Sequence, residues 1–178
     1  MKEFDIRSRG AVGDGNPTDI HPKAKVFVGE RLALWALAKD YGRDIVYSGP
    51  LVRGAVAEPA GPGTNAVRVR ISFDHTGSGL IVGKKDWRNN DPVEEDLEAA
   101  GRLKGFALQG ANGTWRWAAA VIDGDDVVLY APEVTKPVAV RYAFRAVPLG
   151  ECCLYNRECL PASPFSIEVS APAGKEKP

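Results

Sequence analysis

The 178 residues carry 23 Lys+Arg against 23 Asp+Glu, and 44% of them are hydrophobic. These values are typical of a globular protein and exclude extensive disorder, while the net charge of +0 argues against a broad nucleic-acid-binding surface. No apolar run approaches the roughly 20 residues that span a bilayer, and Met1 to Asp5 lack the apolar core of a signal peptide, so we expect neither a membrane protein nor an export signal in this chain.

The first predicted element is a long helix that begins at His21-Pro22 and ends near Tyr41. Proline suits the first helical position, and Gly42 offers a C-terminal cap. The middle of the helix, Leu32 to Ala38, contains seven uncharged residues in a row and therefore has no polar face. We expect this helix to be covered on more than one side.

After Gly42, the pattern changes to the period of two that is typical of half-buried strands. Apolar and polar residues alternate from Val67 to Phe73, and Leu80 to Val82 begins another apolar run. Ala57 to Asn65 is rich in Pro and Gly and predicts a loop. The polar, acidic segment from Lys84 to Arg102 predicts a solvated excursion with one helical turn.

The second half of the chain predicts a series of hairpins. The turns are Ala111 to Gly113 and Asp123-Gly124. The strands around and after them are Phe106 to Leu108, Trp115 to Ile122, Val127 to Tyr130, Val138 to Phe144 and Phe165 to Val169. Strands at this spacing, with a single long helix, predict a mainly β protein built as an antiparallel β-sandwich over residues 43–170. Residues 171–178 predict a flexible tail.

The three cysteines do not indicate a cofactor or metal site. Cys152, Cys153 and Cys159 have no nearby His, so they cannot complete a four-ligand zinc set. A disulfide from Cys159 to one of the pair is conceivable, but we expect free thiols. Gly77-x-Gly79 is no phosphate loop, because no helix follows it. We therefore predict no cofactor and no metal.

Both histidines are candidates for a general base. Asp19 precedes His21 by two positions at the start of the predicted helix, where the carboxylate could orient the imidazole or simply cap the helix. From these residues alone, capping beside a surface histidine is favoured. Asp74, His75 and Ser78 suggest a catalytic triad, but Ser78 lacks the strand-turn-helix elbow of an activated serine, so we expect a tight turn.

Trp115 and Trp117 fall on the same face of one predicted strand. An exposed pair could stack sugar rings, and a buried pair could fill the core of the sandwich. Because large aromatic side chains dominate protein cores, the second interpretation is favoured.

Asp19-Ile20-His21-Pro22-Lys23 and Val28 to Leu34 closely resemble the C-terminal part of bacterial sialate O-acetylesterase-like proteins. Further matching blocks follow in the same order over nearly the whole chain: Tyr47 to Pro50, Ser72 to His75, Leu103 to Phe106, Pro132 to Val134, Pro137 to Ala143, and Leu154 to Phe165. The resembled proteins are SGNH hydrolases, serine esterases on a flavodoxin-like α/β domain that remove O-acetyl groups from sugars.

The resemblance implies that His21 is the catalytic histidine, which takes the proton from a nucleophilic serine and returns it to the sugar hydroxyl. Asp19 is implied less directly. The family pattern is Asp-x-x-His, but Thr18 stands three places before His21. Either Asp19 orients the histidine at shorter spacing, or a backbone carbonyl does.

The serine nucleophile block and the oxyanion-hole residues of the family do not occur in this sequence. Residues 1–42 then correspond to the last loop and helix of the hydrolase domain, which would leave the apolar helix without its sheet. We therefore expect a fragment, a truncated reading frame or one chain of a split enzyme, inactive alone. Its partners would be the N-terminal hydrolase portion and, through the full-length enzyme, an O-acetylated carbohydrate.

The alternative function is a non-catalytic carbohydrate-binding or interaction module that uses Trp115 and Trp117. The family is often secreted or periplasmic, although the sequence itself predicts no compartment.

Overall fold

The computed structural model describes residues 25–61, 66–85, 92–144 and 152–171. Over these ranges the chain forms helix α1 (Lys25–Lys39), a 3-10 helix (Leu97–Ala99) and twelve strands. The strands are β1 Leu51–Pro59, β2 Val67–Asp74, β3 Leu80–Lys84, β4 Glu94–Glu95, β5 Arg102–Leu103, β6 Phe106–Gly110, β7 Trp115–Trp117, β8 Ala119–Asp123, β9 Asp126–Tyr130, β10 Pro137–Tyr142, β11 Leu154–Asn156 and β12 Phe165–Glu168. None of the helices in these ranges is long and apolar enough to cross a bilayer.

The strands form three antiparallel sheets. The five-stranded sheet has the order β1-β2-β9-β8-β5, the four-stranded sheet has the order β12-β10-β6-β7, and the three-stranded sheet has the order β11-β3-β4. The two hairpin turns predicted from sequence join β6 to β7 and β8 to β9. The prediction of a mainly antiparallel β-sandwich with one long helix is confirmed.

The core lies between the five-stranded and four-stranded sheets. Alternate residues of β2 and β9 point inward, as the period of two predicts. They meet the inward residues of β6 and β10, among which the rings of Phe106 and Tyr142 lie 4.5 Å apart. Residues at most 1% exposed in this layer are Val69, Ile71, Val127, Leu129, Phe106, Leu108, Val140 and Tyr142.

Tyr142 also ties the three-stranded sheet to this core. Its hydroxyl accepts a hydrogen bond from the Leu154 N–H at 2.9 Å. Burial, followed by the nearby thiols of Cys153 and Cys152, raises the pKa of Tyr142 well above its usual value, so the phenol stays neutral. The buried polar group is thus paired, which avoids the cost of an unsatisfied donor in the core.

Helix α1 ends as the sequence predicts. Gly42 has φ +66°, a left-handed conformation that glycine adopts at low cost, and the Arg43 N–H donates to the Leu37 carbonyl at 2.9 Å. The predicted start at His21-Pro22 lies outside the described residues. The predicted domain boundary at residue 42 stays a prediction.

Three predicted segments differ from the structure. Strand β1 extends into the Pro/Gly-rich segment that predicted a loop, because β1 pairs along its length with β2. The predicted strand from Trp115 to Ile122 is two strands, since the chain passes from the four-stranded to the five-stranded sheet at Ala118. The segment after Lys84 contains the expected helical turn and also the short strand β4.

Candidate functional site

The two residues expected to carry catalysis, Asp19 and His21, lie outside the described residues. Their roles therefore stay predictions. The part of this region that is described is α1, which begins four positions after His21. The contacts of α1 show which surface of the sandwich the helix packs on.

Helix α1 contacts the sandwich through residues spaced four apart, which lie on one face of a helix. The Trp35 ring packs edge-on against Tyr47, with centroids 4.6 Å apart, and the Lys39 Nζ lies 4.4 Å from the centroid of the same tyrosine ring. Tyr47 in turn packs edge-on against the His75 imidazole at 5.1 Å. An aromatic contact chain thus joins the helix to the end of β2.

A small cleft opens between α1 and the sandwich. The helix contributes a guanidinium and an indole, and the remaining wall comes from the segment before β1 and the turn after β11. Its lining residues are Arg31, Trp35, Tyr47, Ser48, Gly49, Leu160, Pro161 and Ser163. The cleft therefore combines an aromatic wall with a cation and hydroxyl groups.

The walls of the cleft are held together by the side chain of Asn156, which is fully buried. Its Nδ2 donates to the Ser48 carbonyl at 3.1 Å and to the His75 carbonyl at 3.3 Å, and its Oδ1 accepts from the Leu160 N–H at 2.9 Å. One amide thus joins three segments that are distant in sequence. The sequence showed Asn156 only as part of a matched block and did not indicate this role.

Close packing also fixes the cleft at Gly49. A methyl group on Gly49 would overlap the backbone carbonyl of Pro161, which cannot move as a flexible side chain would. We expect Gly49→Ala to destabilise the protein by about 2–3 kcal/mol through overpacking. Gly29 is the matched control because it lies in α1 with no atom near its added methyl, so Gly29→Ala should stabilise by about 0.5–1 kcal/mol.

Urea unfolding of both glycine variants measures these effects. Equal stability of Gly49→Ala and the unsubstituted protein would show that the approach of Gly49 to Pro161 does not constrain the cleft.

The segment from His75 to Gly79 is a tight turn, as predicted, and its side chains do not form a triad. Ser78 donates through its N–H at 3.0 Å and its Oγ at 2.6 Å to the Glu158 carboxylate. Burial favours a raised pKa at Glu158, but the hydrogen bonds from Ser78 outweigh it, and the pKa is lowered overall. Ser78 therefore donates to a carboxylate whose lowered pKa makes it a weak base, so Glu158 is poorly suited to activate Ser78 as a nucleophile.

The three cysteines are free thiols, which confirms the expectation from sequence. Burial raises the pKa of Cys153, and its Sγ accepts from the Lys104 N–H at 3.3 Å. A buried, protonated thiol is a poor nucleophile and a poor metal ligand. Within the ranges that the structure describes, no three His, Cys, Asp or Glu side chains converge as a metal site.

Trp115 and Trp117 do not fill the core, so the favoured interpretation was wrong. Both lie on β7, an edge strand of the four-stranded sheet, and point to its outer face. Trp117 is 53% exposed, and the Arg141 guanidinium lies 4.3 Å from the ring centroid of Trp115. The structure thus presents a second candidate site, separate from the cleft beside α1.

A scan against protein-family models and a search of curated proteins give no match for this chain. Among solved structures, the chain is similar to a carbohydrate acetylesterase from Xanthomonas citri, with 37% sequence identity and a TM-score of 0.68 over 86% of this chain. The chain is related to a carbohydrate esterase. It spans 30% of the length of the Xanthomonas citri enzyme.

Proposed function

We propose that this chain forms part of an SGNH-type carbohydrate O-acetylesterase of the sialate O-acetylesterase-like group and supplies its catalytic histidine, His21. The main support is the 37% identity to a carbohydrate acetylesterase over 86% of this chain, since such identity over one continuous fold indicates common ancestry. The second support is the Asp19-Ile20-His21-Pro22 block, whose residue types suit a histidine base with an orienting group.

In this mechanism, His21 removes the proton from a serine hydroxyl as the serine oxygen attacks the acetyl carbonyl carbon. The imidazolium then gives that proton to the sugar oxygen as the bond between this oxygen and the acetyl carbon breaks. Water, deprotonated by the same histidine, releases acetate and restores the serine. Asp19 or a backbone carbonyl accepts the hydrogen bond of the other ring nitrogen and thereby fixes the tautomer of His21.

The serine and the oxyanion-hole donors of this mechanism would come from a hydrolase portion that packs on α1. The helix has no fully buried residue, and Val26, Leu32 and Leu37 are 53%, 43% and 40% exposed. Successive residues of an α-helix are rotated by about 100° about its axis. This rotation places Val26 and Leu37 on the side of α1 opposite Trp35. The exposed side therefore carries Val26, Ala33 and Leu37 together with Glu30, and its apolar residues could pack on a hydrophobic sheet surface.

The size of the solved relative supports the same arrangement. This chain matches 30% of the Xanthomonas citri enzyme, so most of that enzyme has no counterpart among these 178 residues. A hydrolase portion on the free side of α1 would cover the helix from two sides, as the seven uncharged residues from Leu32 to Ala38 require.

Acetate release by the purified chain tests whether the catalytic groups are divided in this way. We expect no turnover of an O-acetylated xylo-oligosaccharide or of p-nitrophenyl acetate above the buffer rate, because a histidine without a serine and an oxyanion hole has no covalent route. Turnover by the chain alone that disappears in His21→Ala would contradict the proposed division.

A further inference from the structure

The outer face of the four-stranded sheet carries an ordered set of side chains that the esterase mechanism does not use. Directly paired residues of neighbouring antiparallel strands share a face. Strand pairing therefore places Trp117, Ala107, Arg141 and Ser166 in one row across this face. The adjacent row is Trp115, Gln109, Ala139 and Glu168. We call these two rows, together with Phe144, the aromatic face.

On the aromatic face, large side chains cover small ones. Ala107 points outward, yet it is only 2% exposed, so neighbouring side chains cover it. Arg141 lies 4.3 Å from the ring centroid of Trp115 and 5.8 Å from that of Phe144. Trp117 and Phe144 remain 53% and 60% exposed. The face thus presents aromatic surface to solvent around a guanidinium held by cation–π contacts.

The N–H donors of the Arg141 guanidinium have no oxygen acceptor among the described residues. Among the residues that the structure describes, none places a carboxylate or carbonyl oxygen within hydrogen-bonding distance of Arg141, although Arg carries five N–H donors in a planar fork. The outer face of the five-stranded sheet differs, because there Arg70 pairs with Glu58, Asp123 and Asp126 at 2.9–3.3 Å. On the five-stranded sheet three carboxylates neutralise Arg70, whereas on the aromatic face Glu168 is the one acidic residue of the two rows and, among the described residues, no ion pair joins it to Arg141.

We propose that the aromatic face binds a carbohydrate chain outside the esterase active site. A sugar ring stacks its C–H surface on the exposed indole of Trp117, and the adjoining sugar residue accepts hydrogen bonds from Arg141 through hydroxyl or carboxylate oxygens. Aromatic rings offer a flat, weakly hydrated surface for such stacking, and the planar guanidinium fork suits paired oxygen acceptors. Only the choice of carbohydrate as ligand class rests on the proposed function.

The role of such a face follows from multivalency. A weak sugar contact away from the scissile ester raises the effective concentration of the remaining chain near the active site. A polysaccharide substrate offers further sugar residues for this contact, whereas a single acetylated sugar offers none. The aromatic face therefore favours a polymeric substrate.

Titration of the full chain with unacetylated oligosaccharides tests the proposal without any esterase activity. The two probes are a neutral xylo-oligosaccharide and the same oligosaccharide with a glucuronic acid branch, followed by tryptophan fluorescence and calorimetry. We expect saturable binding in the millimolar range or tighter, and Trp117→Ala should weaken it by about tenfold or more. Tyr130→Ala is the matched control, because Tyr130 is an aromatic residue of the five-stranded sheet and is 41% exposed. Its loss should change the affinity for either probe by less than about twofold.

The two probes also distinguish the acceptor that Arg141 contacts. If a carboxylate is the acceptor, the acidic probe binds more tightly and Arg141→Gln removes the difference. If hydroxyl groups are the acceptors, both probes bind equally and Arg141→Gln weakens both. Either result supports the proposal.

Three results would overturn it: no binding of either probe by folded protein, unchanged binding in Trp117→Ala with an unaltered melting temperature, or a concentration-dependent dimer that Trp117→Ala dissociates. The last would assign the aromatic face to protein association. Both probes lack acetyl esters, so this test is independent of esterase activity. An inactive chain that binds the probes would support this inference alone. An active esterase that does not bind them would support the proposed function alone.

Discussion

Replacing Asn156 with alanine should remove about 3–4 kcal/mol from the free energy of unfolding, a large part of the stability of a domain of this size. The substitution removes a fully buried side chain and leaves the carbonyls of Ser48 and His75 and the N–H of Leu160 without their partner. Each unsatisfied buried group costs about 1–3 kcal/mol, and a water molecule in the space of the lost amide would recover part of that cost.

Asn112 provides the matched control for this experiment. It is an exposed asparagine whose Oδ1 accepts from the Thr114 N–H at 3.0 Å in the turn between β6 and β7. Asn112→Ala should cost about 1 kcal/mol or less, because water can replace the lost acceptor. Urea denaturation monitored by circular dichroism measures both variants, and a loss at Asn156 no larger than at Asn112 would contradict the role of Asn156 in joining three segments.

The parts of the fold that sequence predicted correctly depend on local chemistry. The alternation from Val67 to Phe73 describes β2 because one face of that strand is buried. Asn112-Gly113 and Asp123-Gly124 mark hairpins, because glycine reaches the positive φ of +78° at Gly113 and +64° at Gly124 that these turns need. The cap at Gly42 follows from the same property.

The parts that sequence did not predict depend on non-local pairing. The fold places β1 beside β2, and this pairing overrides the loop preference of its Pro and Gly residues. β11 is three residues long and too short to show a period, and pairing with β3 defines it. Asn156 lies in that strand, so its burial became visible only with the assembled sheets.

The tryptophan pair shows why an alternating pattern alone does not reveal which face of a strand turns toward the core. Trp115 and Trp117 alternate with Arg116, a pattern that predicts an apolar face turned toward the core. β7 is an edge strand, however, and Arg116 occupies the inward row while remaining exposed at the rim of the sandwich. Only the position of the strand within the sheet decides the direction of the aromatic side chains.

The catalytic assignment depends on family resemblance more than on local pattern. The residues around His21 alone favour a capped helix start, whereas the ordered match of blocks across the chain favours the esterase. The relation to a carbohydrate acetylesterase is supported by the solved relative, and the roles of His21 and Asp19 stay predictions.

The second large effect is expected at His21 in an assembled esterase. Replacing the matched part of the Xanthomonas citri acetylesterase with this chain would supply the rest of the enzyme around α1. In that chimera, His21→Ala should lower kcat by roughly a thousandfold or more, since loss of the general base removes the route through the activated serine. The KM for the acetylated sugar should change far less, because the imidazole acts mainly on the transition state.

His75 is the matched control because it is the other histidine of the chain. It has φ +60°, a left-handed conformation that asparagine tolerates, so His75→Asn preserves the turn. This variant should keep kcat within about threefold of the chimera, since His75 packs on Tyr47 and does no chemistry in the proposed mechanism. Asp19→Asn then tests whether the carboxylate or a backbone carbonyl orients His21, because only the first case predicts a large fall in kcat.

The most direct measurement is therefore acetate release from an acetylated xylo-oligosaccharide by the chimera, with and without His21→Ala, at matched melting temperatures. The proposed function predicts an active chimera whose kcat falls by roughly a thousandfold or more when His21 is replaced. An active chimera with the same kcat in His21→Ala would show that the catalytic histidine lies elsewhere and would contradict the central claim.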